Sequence, residues 1–365
     1  MTSTTTTATT TTPDQDESIL AAQRAKSAFL FREDIAPGLT LEMNLNRIMH
    51  SGQSEFQQIQ VVDTYFGKTL VTDGKTQSAQ FDEFSYHESL VHPALLNFAY
   101  FNTTATKNEQ RSAKSVFIGG GGELATAREV LRHPNVERVV MVDLDKGVID
   151  ACVEHLPEWG GETVKSNPRF ELVVGDAYQY LLDCQETFDV IIMDISDPIE
   201  AGPGIMLYTK ELYQHALGLL SPQGVFVTQA GTGDAIPPRH ASHGVQDSTC
   251  FGPIANTLAQ VFPCVLPYTQ AIPSFGSDWG FVMAFTPASS SSSGSSDDAA
   301  VVAAKEWKSI DPDALDALIG TYIEGGDAAL KMYDGTTHHR MFYLTKPLRK
   351  HLANDERIMT KDNPA

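Results

Sequence analysis

Acidic residues stand at the ends of successive apolar runs. Glu123 follows the glycines of "FIGGGGELATARE", Asp143 ends "RVVMVD", Asp176 follows "FELVVG", and Asp194 and Asp197 punctuate "VIIMDISDPIEAGP". One carboxylate per strand end is more than helix capping requires. Open α/β sheets bind ligands in the crevice outside the carboxyl ends of their strands. The pattern therefore points to a nucleoside with hydroxyls and an amine, together with something cationic. The glycine run is neither G-x-G-x-x-G nor a Walker loop, no Lys-Ser/Thr pair follows it, and Glu123 would repel a pyrophosphate. Taken singly the acids are less decisive. Asp143 falls where doubly wound folds hold a ribose hydroxyl pair. Asp145 suits the cap of the helix opened by "DLDKGV". Asp176 fits an adenine amino group or a helix cap equally well.

The elements that must carry these groups are legible from residue 114 onward. "SVFI", "RVVMVD", "FELVV", "FDVIIMD" and "GVFVTQA" are apolar strand segments, separated by the amphipathic stretches "ATAREVLRH", "KGVIDACVEHL", "AYQYLLDC" and "LYTKELYQHALGLL". Continuous apolar strands alternating with helices predict an α/β fold with a doubly wound, mostly parallel sheet. Segments 264–270 and 279–285 are expected to close it as an antiparallel pair. Upstream, residues 38–82 alternate apolar and polar around the turn signals Phe66-Gly67 and Asp73-Gly74, which predicts a small β-hairpin domain. Helical spacing of Tyr86, Leu90 and Ala94 follows.

The chain holds 26 basic and 46 acidic residues, a formal charge of -20. That excludes a nucleic-acid partner, which needs a basic face, and suits a small cationic substrate as well as a plain solvated surface. Four widely spaced cysteines with no CxxC pair read as free thiols in a reducing compartment. No apolar run is long enough to span a bilayer, and "MTSTTTTATTTTPDQDES" has neither the basic nor the apolar part of a secretory signal, so a cytoplasmic protein is expected. The histidines show no metal-ligand spacing, and His338-His339 read as structural. No metal or cofactor is expected, and no Gly-x-Ser-x-Gly elbow or Cys/His arrangement offers a covalent nucleophile.

"DGKTQSAQFDEFSYHESLVHPALL", "GGGELATARE", "VVMVDLD", "VVGDA" and "DVIIMDISDP", in this order and spacing, resemble the aminopropyltransferases of the spermidine-synthase family. The resemblance runs over about residues 38 to 350. Within the family, "FVTQAGTG" and "IPSFGSDWGFVMA" look most like the thermospermine-synthase branch; spermidine synthases usually carry Q-G-E where this chain has Gln229-Ala230-Gly231, and Tyr in place of Phe275. The resemblance implies a Rossmann-like, methyltransferase-type domain after the hairpins. It implies decarboxylated S-adenosylmethionine as aminopropyl donor, a co-substrate rather than a cofactor. On the donor side it places Gln57, Gln77, Gly120, Gly121, Gly122, Glu123 (the aminopropyl amine), Asp143 (ribose), Asp176 (adenine) and Ala177. It places Tyr86 and His87 at the reacting amine, Asp194 as general base, and Asp197, Gln229, Phe275 and Trp279 toward the acceptor. For Trp279, plain core packing is the simpler reading. Pro198 to Tyr208 would be a loop closing over both substrates, and assembly as a homodimer or homotetramer through the β domain would follow.

The expected organisation is a disordered tail and lead-in over 1–37, the hairpin domain over 38–82, and the Rossmann-like domain over 83–350. A flexible serine-rich insertion interrupts the last at 286–300, and 351–365 form a C-terminal tail. Two departures from the family pattern stand out. Leu124 replaces a usual glycine and is expected to crowd the donor pocket, and Ile195-Ser196 occupies the middle of the usual D-S-S-D. The pair Ala230-Gly231 is expected to leave room for a longer acceptor and to remove an anchoring carboxylate. The expected activity is thermospermine synthesis from spermidine. Spermidine synthase acting on putrescine and spermine synthase are the nearest alternatives. An S-adenosylmethionine methyltransferase and a non-catalytic polyamine-binding protein are the distant ones.

Overall fold

The computed structural model describes residues 29–36, 38–106, 111–198, 204–234, 249–287 and 296–364. The threonine-rich tail, residues 199–203 of the expected closing loop, and 288–295 of the serine-rich stretch lie outside the described residues.

Two small antiparallel sheets come first. Strands β1 (Leu30–Ala36) and β2 (Leu39–Asn44) pair with each other, and β3 (Arg47–Gln53), β4 (Gln58–Thr64), β5 (Gly67–Thr72) and β6 (Lys75–Ala79) form a meander. Strand β1 lies in the segment read as a lead-in, so the β domain starts earlier than the expected residue 38. Phe31 and Met43 bury against Val62 and Val71 of the meander, which anchors the hairpin. A few alternating apolar residues ahead of a Pro-Gly pair were too short a signal to find it.

The 24-residue helix α1 (Glu83–Thr106) leads into the large sheet. Its strands are β7 (Ser115–Gly120), β8 (Arg138–Asp143), β9 (Phe170–Val174), β10 (Phe188–Asp194), β11 (Leu220–Thr232), β12 (Cys264–Ile272) and β13 (Ser277–Phe285), in the order β12-β13-β11-β10-β7-β8-β9. The pairs β7-β8, β8-β9, β7-β10 and β10-β11 are parallel; β11-β13 and β12-β13 are antiparallel, as expected for a closing pair. Helices α2 (Ala125–Leu131), α3 (Lys146–His155), α4 (Gly161–Lys165), α5 (Ala177–Asp183), α6 (Lys210–Leu219) and α7 (Phe251–Ala259) connect them. Two apolar clusters, centred on Ile118, Met141 and Ile192 and on Phe117, Ile191 and Phe226, occupy the two faces of the sheet. Alternate side chains of a strand buried on both sides produce that division.

The chain winds outward from β7 to β9, then returns to place β10 on the other side of β7. This reversal is the topological switch point where such sheets open a crevice. It brings the turn after β7, with Glu123, next to the turn after β10, with Asp194 and Asp197; Asp194 is paired with Gly120 in the ladder.

The hairpin domain is fastened to the crevice side of the sheet. Ile59, Val61 and Leu70 share an apolar cluster with Val148, Ala151 and Trp159, and Trp159 Nε1 donates to Ser78 Oγ at 2.6 Å. The C-terminal helices α8 (Ser296–Lys308), α9 (Pro312–Tyr322), α10 (Gly335–Phe342) and α11 (Lys346–Asn354) complete the chain. His338 and His339 lie on helix α10 rather than on a strand, and His338 is buried with Nε2 bonded to the Trp307 carbonyl. The C-terminal segment is docked, not loose: α11 runs past residue 350, and the buried Met359 joins the second core cluster.

Candidate active site

A cavity of about 240 Å³ opens at the switch point. The parallel sheet contributes Glu123, Asp194 and Asp197 to its wall, and the closing strands contribute Phe275 and Trp279. Tyr86 and Gln229 face it, and the hairpin domain supplies Glu33, Lys75 and Gln77.

Asp194 sits at its centre. Tyr86 Oη donates to Asp194 Oδ1 at 2.7 Å, and Thr126 Oγ1 donates to Oδ2. Burial and the nearby Glu123 charge push the Asp194 carboxyl up to about 6, against the opposing pull of His87 and of the two hydroxyl bonds. Burial, reinforced by Asp194, keeps Tyr86 well above the usual phenol range, so it remains a donor. Asp197 is also raised, by burial, with the Gln229 hydrogen bond and Lys75 opposing.

Gln229 is already committed within the wall. Its Nε2 lies 2.6 Å from the Ile195 carbonyl, 3.0 Å from Asp197 Oδ1 and 2.8 Å from Tyr208 Oη, while its Oε1 accepts from Gly231 N and Trp279 Nε1 at 2.8 and 3.1 Å. It braces the 195–197 turn. Trp279, expected in the core, is half-buried on the cavity wall and meets the ring of Phe275 edge-on. Ala230-Gly231 does not leave the expected room. Ala230 is fully buried, and a Cβ on Gly231 would stand 2.6 Å from Cys250 Sγ.

His87 is beside Tyr86 in sequence but turned away from the cavity. Successive helical residues differ by about 100°, so when Tyr86 faces Asp194 its neighbour faces α2. His87 is fully buried, with Nδ1 3.0 Å from Glu83 Oε2 and Nε2 3.1 Å from Glu123 Oε1. His87, Glu123 and Asp194 lie close enough together to hold a metal ion. Both ring nitrogens of His87, however, already have hydrogen-bond partners, Nδ1 in Glu83 and Nε2 in Glu123.

Gln57, Asp143 and Asp176 are not on the wall of this cavity. Asp143 accepts from Asp145 N at 2.8 Å and touches Gly122; burial, with repulsion from Glu123 and Asp145, outweighs its backbone donors and pushes its carboxyl up to about 7. Gln57 reaches Asp145, its Nε2 2.9 Å from Oδ2, and Asp145 caps α3 as predicted. Asp176 is a second cap. Its exposed side chain accepts from Tyr178 N at 2.8 Å and caps α5, with Ala177 as the first helical residue. The capping reading is met, because the orphan N–H groups of α5 lie within reach of its carboxylate.

Leu124 does not crowd the pocket. It takes the left-handed conformation, φ 75°, at the start of α2, and its fully buried side chain joins the first core cluster. Left-handed backbone costs a residue with a Cβ roughly 1–2 kcal/mol, while losing a buried leucine costs about 2–5 kcal/mol. Leu124→Gly is therefore expected to lower stability by about 2 kcal/mol in urea unfolding while leaving donor KM unchanged. A raised donor affinity would restore the crowding reading.

Sequence reasoning missed Glu33, Ile35, Lys75, Thr76 and Thr126. Glu33 is buried where Thr76 N and Oγ1 donate to it at 3.1 and 2.6 Å, a pairing across 43 positions that no local pattern reveals.

Residues 83–293 match the spermine/spermidine synthase domain, and residues 29–80 match the spermidine synthase tetramerisation domain. The chain belongs to the spermine/spermidine synthase family. It is similar to a thermospermine synthase of Arabidopsis thaliana, 44% identical over 70% of this chain and 69% of that one. It is also similar to polyamine aminopropyltransferase 2 of Hyperthermus butylicus, 37% identical over 94% of this chain and 98% of the relative. Among solved structures, a spermidine synthase in complex with the transition state analogue AdoDATO superposes with a TM-score of 0.69 at 26% identity, covering 89% of this chain and 95% of that one. The chain is a polyamine aminopropyltransferase. Among the described residues, no helix is long and apolar enough to cross a membrane.

Proposed function

We propose that the enzyme transfers the aminopropyl group of decarboxylated S-adenosylmethionine to spermidine, giving thermospermine and 5′-methylthioadenosine. The observation that carries this reading is the charge of the cavity wall, where Glu33, Glu123, Asp194 and Asp197 face Lys75 as the one lysine. Such a wall fits a polycation and a donor whose tail ends in an ammonium. Glu123 receives that ammonium and disfavours ordinary S-adenosylmethionine, whose tail adds a carboxylate. Asp143 and Gln57 serve the nucleoside. The acceptor ammonium, with a pKa of about 10.4 if it resembles lysine, lies against Asp194. Its proton passes to Asp194, its nitrogen lone pair attacks the propyl carbon bonded to the sulfonium, and the carbon–sulfur bond breaks with its electron pair moving to sulfur. Tyr86 holds the carboxylate, Asp197 meets a second acceptor ammonium, and Phe275 and Trp279 cover its methylenes.

Similarity to the thermospermine synthase supports spermidine as acceptor, and so does the missing glutamate at Gly231. The second reading, putrescine as acceptor, draws on the likeness to spermidine synthase structures. Product analysis separates them. The purified enzyme is given decarboxylated S-adenosylmethionine with putrescine or spermidine, and thermospermine is resolved from spermine. Thermospermine from spermidine is expected; spermidine from putrescine would replace the acceptor assignment, and spermine would reverse the end attacked. Methyl transfer from S-adenosylmethionine, or no turnover with either acceptor, would sink the reading altogether.

The tetramerisation-domain match also supports a homodimer or homotetramer built through the hairpin domain, whose Leu30, Leu39, Ile48 and Phe81 are exposed. Light scattering is expected to give two or four times the 39.8 kDa chain mass; a monomer throughout would refute it.

A further inference from the structure

Behind Glu123 runs a line of buried charges that alternates in sign. Glu123 Oε1 meets His87 Nε2 at 3.1 Å, and His87 Nδ1 meets Glu83 Oε2 at 3.0 Å. The same Glu83 oxygen accepts from Arg128 Nη2 at 2.7 Å. Arg128 Nε then donates to Glu129 Oε1 at 2.8 Å, and its Nη1 is fixed by the Glu158 carbonyl at 3.0 Å. Glu129 ends the line against His92, 3.3 Å away, and Arg132, whose Nε is 2.7 Å off. Helices α1 and α2 supply most of these groups, so the line is part of the packing between them. Capping and surface solvation do not account for it: the Glu83 and Glu129 side chains are 8% and 2% exposed and that of Arg128 18%.

We infer that Glu83 and Arg128 are positioning residues for the donor: they hold His87 as an imidazolium whose Nε2–H fixes the Glu123 carboxylate that receives the aminopropyl ammonium. This rests on the donor role proposed above for Glu123.

A neutral imidazole has a single N–H. With a carboxylate on each side, the neutral ring would leave one lone pair facing an anion in a buried site, a costly arrangement. Protonation satisfies both contacts. Burial opposes the charge on His87, but the bonds to Glu123 and Glu83 outweigh it and push the ring up to about 10. Burial likewise opposes the charge on Glu83, and His87 and Arg128 pull it down to about 2. Arg128 is thereby the far end of a clamp. It keeps Glu83 charged and aimed, Glu83 keeps His87 charged and aimed, and Glu123 presents its free edge to the cavity. The groups facing His87 are the Glu83 carboxylate, the Glu83 backbone carbonyl 2.6 Å from Nδ1 and the Tyr86 ring on its own helix, and Glu123 from the turn after β7; Asp194 also reaches it electrostatically. None of them can supply the second carboxylate if Glu83 is lost.

The inference is tested by binding two ligands to the full-length enzyme. Decarboxylated S-adenosylmethionine carries the ammonium; 5′-methylthioadenosine shares the nucleoside and lacks it. Glu83→Gln and Arg128→Met are expected to weaken the first at least tenfold and the second less than twofold, with Arg128→Lys recovering part of the loss. In Glu83→Gln the loss should deepen as pH rises, since His87 keeps the carbonyl of residue 83 as a partner but loses the carboxylate charge that holds its second proton. Combined with Glu123→Gln, neither variant should weaken the donor further, since all act through one contact. Equal losses for both ligands would show mere structural damage and overturn the inference. So would unchanged donor binding in both variants while Glu123→Gln binds poorly. If Glu123→Gln binds the donor normally, the donor role of Glu123 falls instead. A measurement on the unmodified enzyme stands apart from any folding defect. Nitrogen NMR at pH 8.5 is expected to show both His87 ring nitrogens protonated, and a neutral ring would end the proposal.

Discussion

Asp194→Asn is expected to reduce kcat by about a thousandfold, near the middle of the range for losing a general base. The amide preserves the shape and keeps one acceptor for Tyr86, but it cannot take the proton of an incoming ammonium. Donor KM should change little, because the donor's contacts are expected at Glu123 and Asp143. A decrease smaller than tenfold would remove Asp194 from the proton-transfer step. The same carboxylate has a second consequence. Its folded pKa, about 6, lies above the ordinary aspartate value, as does that of Asp143, about 7. At these two carboxyls the folded enzyme binds protons more tightly than the unfolded chain between about pH 4 and 7, so their contribution to stability falls as pH rises through that window, while the buried His133 and His338, both lowered, act in the opposite direction below about pH 6.5. His87, raised to about 10, acts in the same direction as the two carboxyls: its contribution is complete below about 6.5 and is lost as pH climbs toward 10. The unliganded enzyme should thus melt at a lower temperature at pH 8.5 than at pH 6, and Asp194→Asn should narrow the difference. Identical melting temperatures would show that these charges are solvated rather than held.

Gly120→Ala is expected to cost at least 4 kcal/mol and to abolish activity, placing it among the rare severe substitutions. Gly120 has φ 81°, and a Cβ built there stands 2.1 Å from the Asp194 carbonyl oxygen and 2.8 Å from its carbon. These are backbone atoms with no rotamer to retreat into. Relief requires the ends of β7 and β10 to separate, which breaks the Gly121 N to Asp194 O bond of 3.0 Å and carries the Asp194 carboxylate with it. Urea unfolding and turnover measured on the same preparation check this. Wild-type values for both would mean that the strands are not so close. This glycine serves strand contact first, a use that glycine-rich turns do not advertise.

Much of the architecture was legible because its signals are local. Apolar strands alternating with helices required a parallel sheet, and acids at the strand ends marked its ligand crevice. The strand order was not legible, since placing β10 beside β7 is a tertiary decision. Site residues divided the same way. Asp194, Asp197, Glu123 and Tyr86 stand on the cavity wall because strand ends and helix faces aim them there. Asp176 was ambiguous because the same short carboxylate that could meet a ligand also reaches the N–H of Tyr178. The family resemblance assigned His87, with Tyr86, to the reacting amine, whereas one helical step places its Nε2 against Glu123. Leu124 looked like an obstruction because sequence does not reveal φ, and the left-handed backbone sends the side chain into the core. Glu33 and Lys75 carried no signal at all, since their place at the cavity depends on how a separate sheet docks.

That docking divides the cavity wall between two independently encoded modules. The parallel sheet holds Asp194, Asp197 and Glu123, while Glu33, Lys75 and Gln77 come from strands completed before residue 80. Exchanging the short amino-terminal segment would therefore replace one wall of the cavity and leave Asp194, Asp197, Phe275 and Trp279 in place.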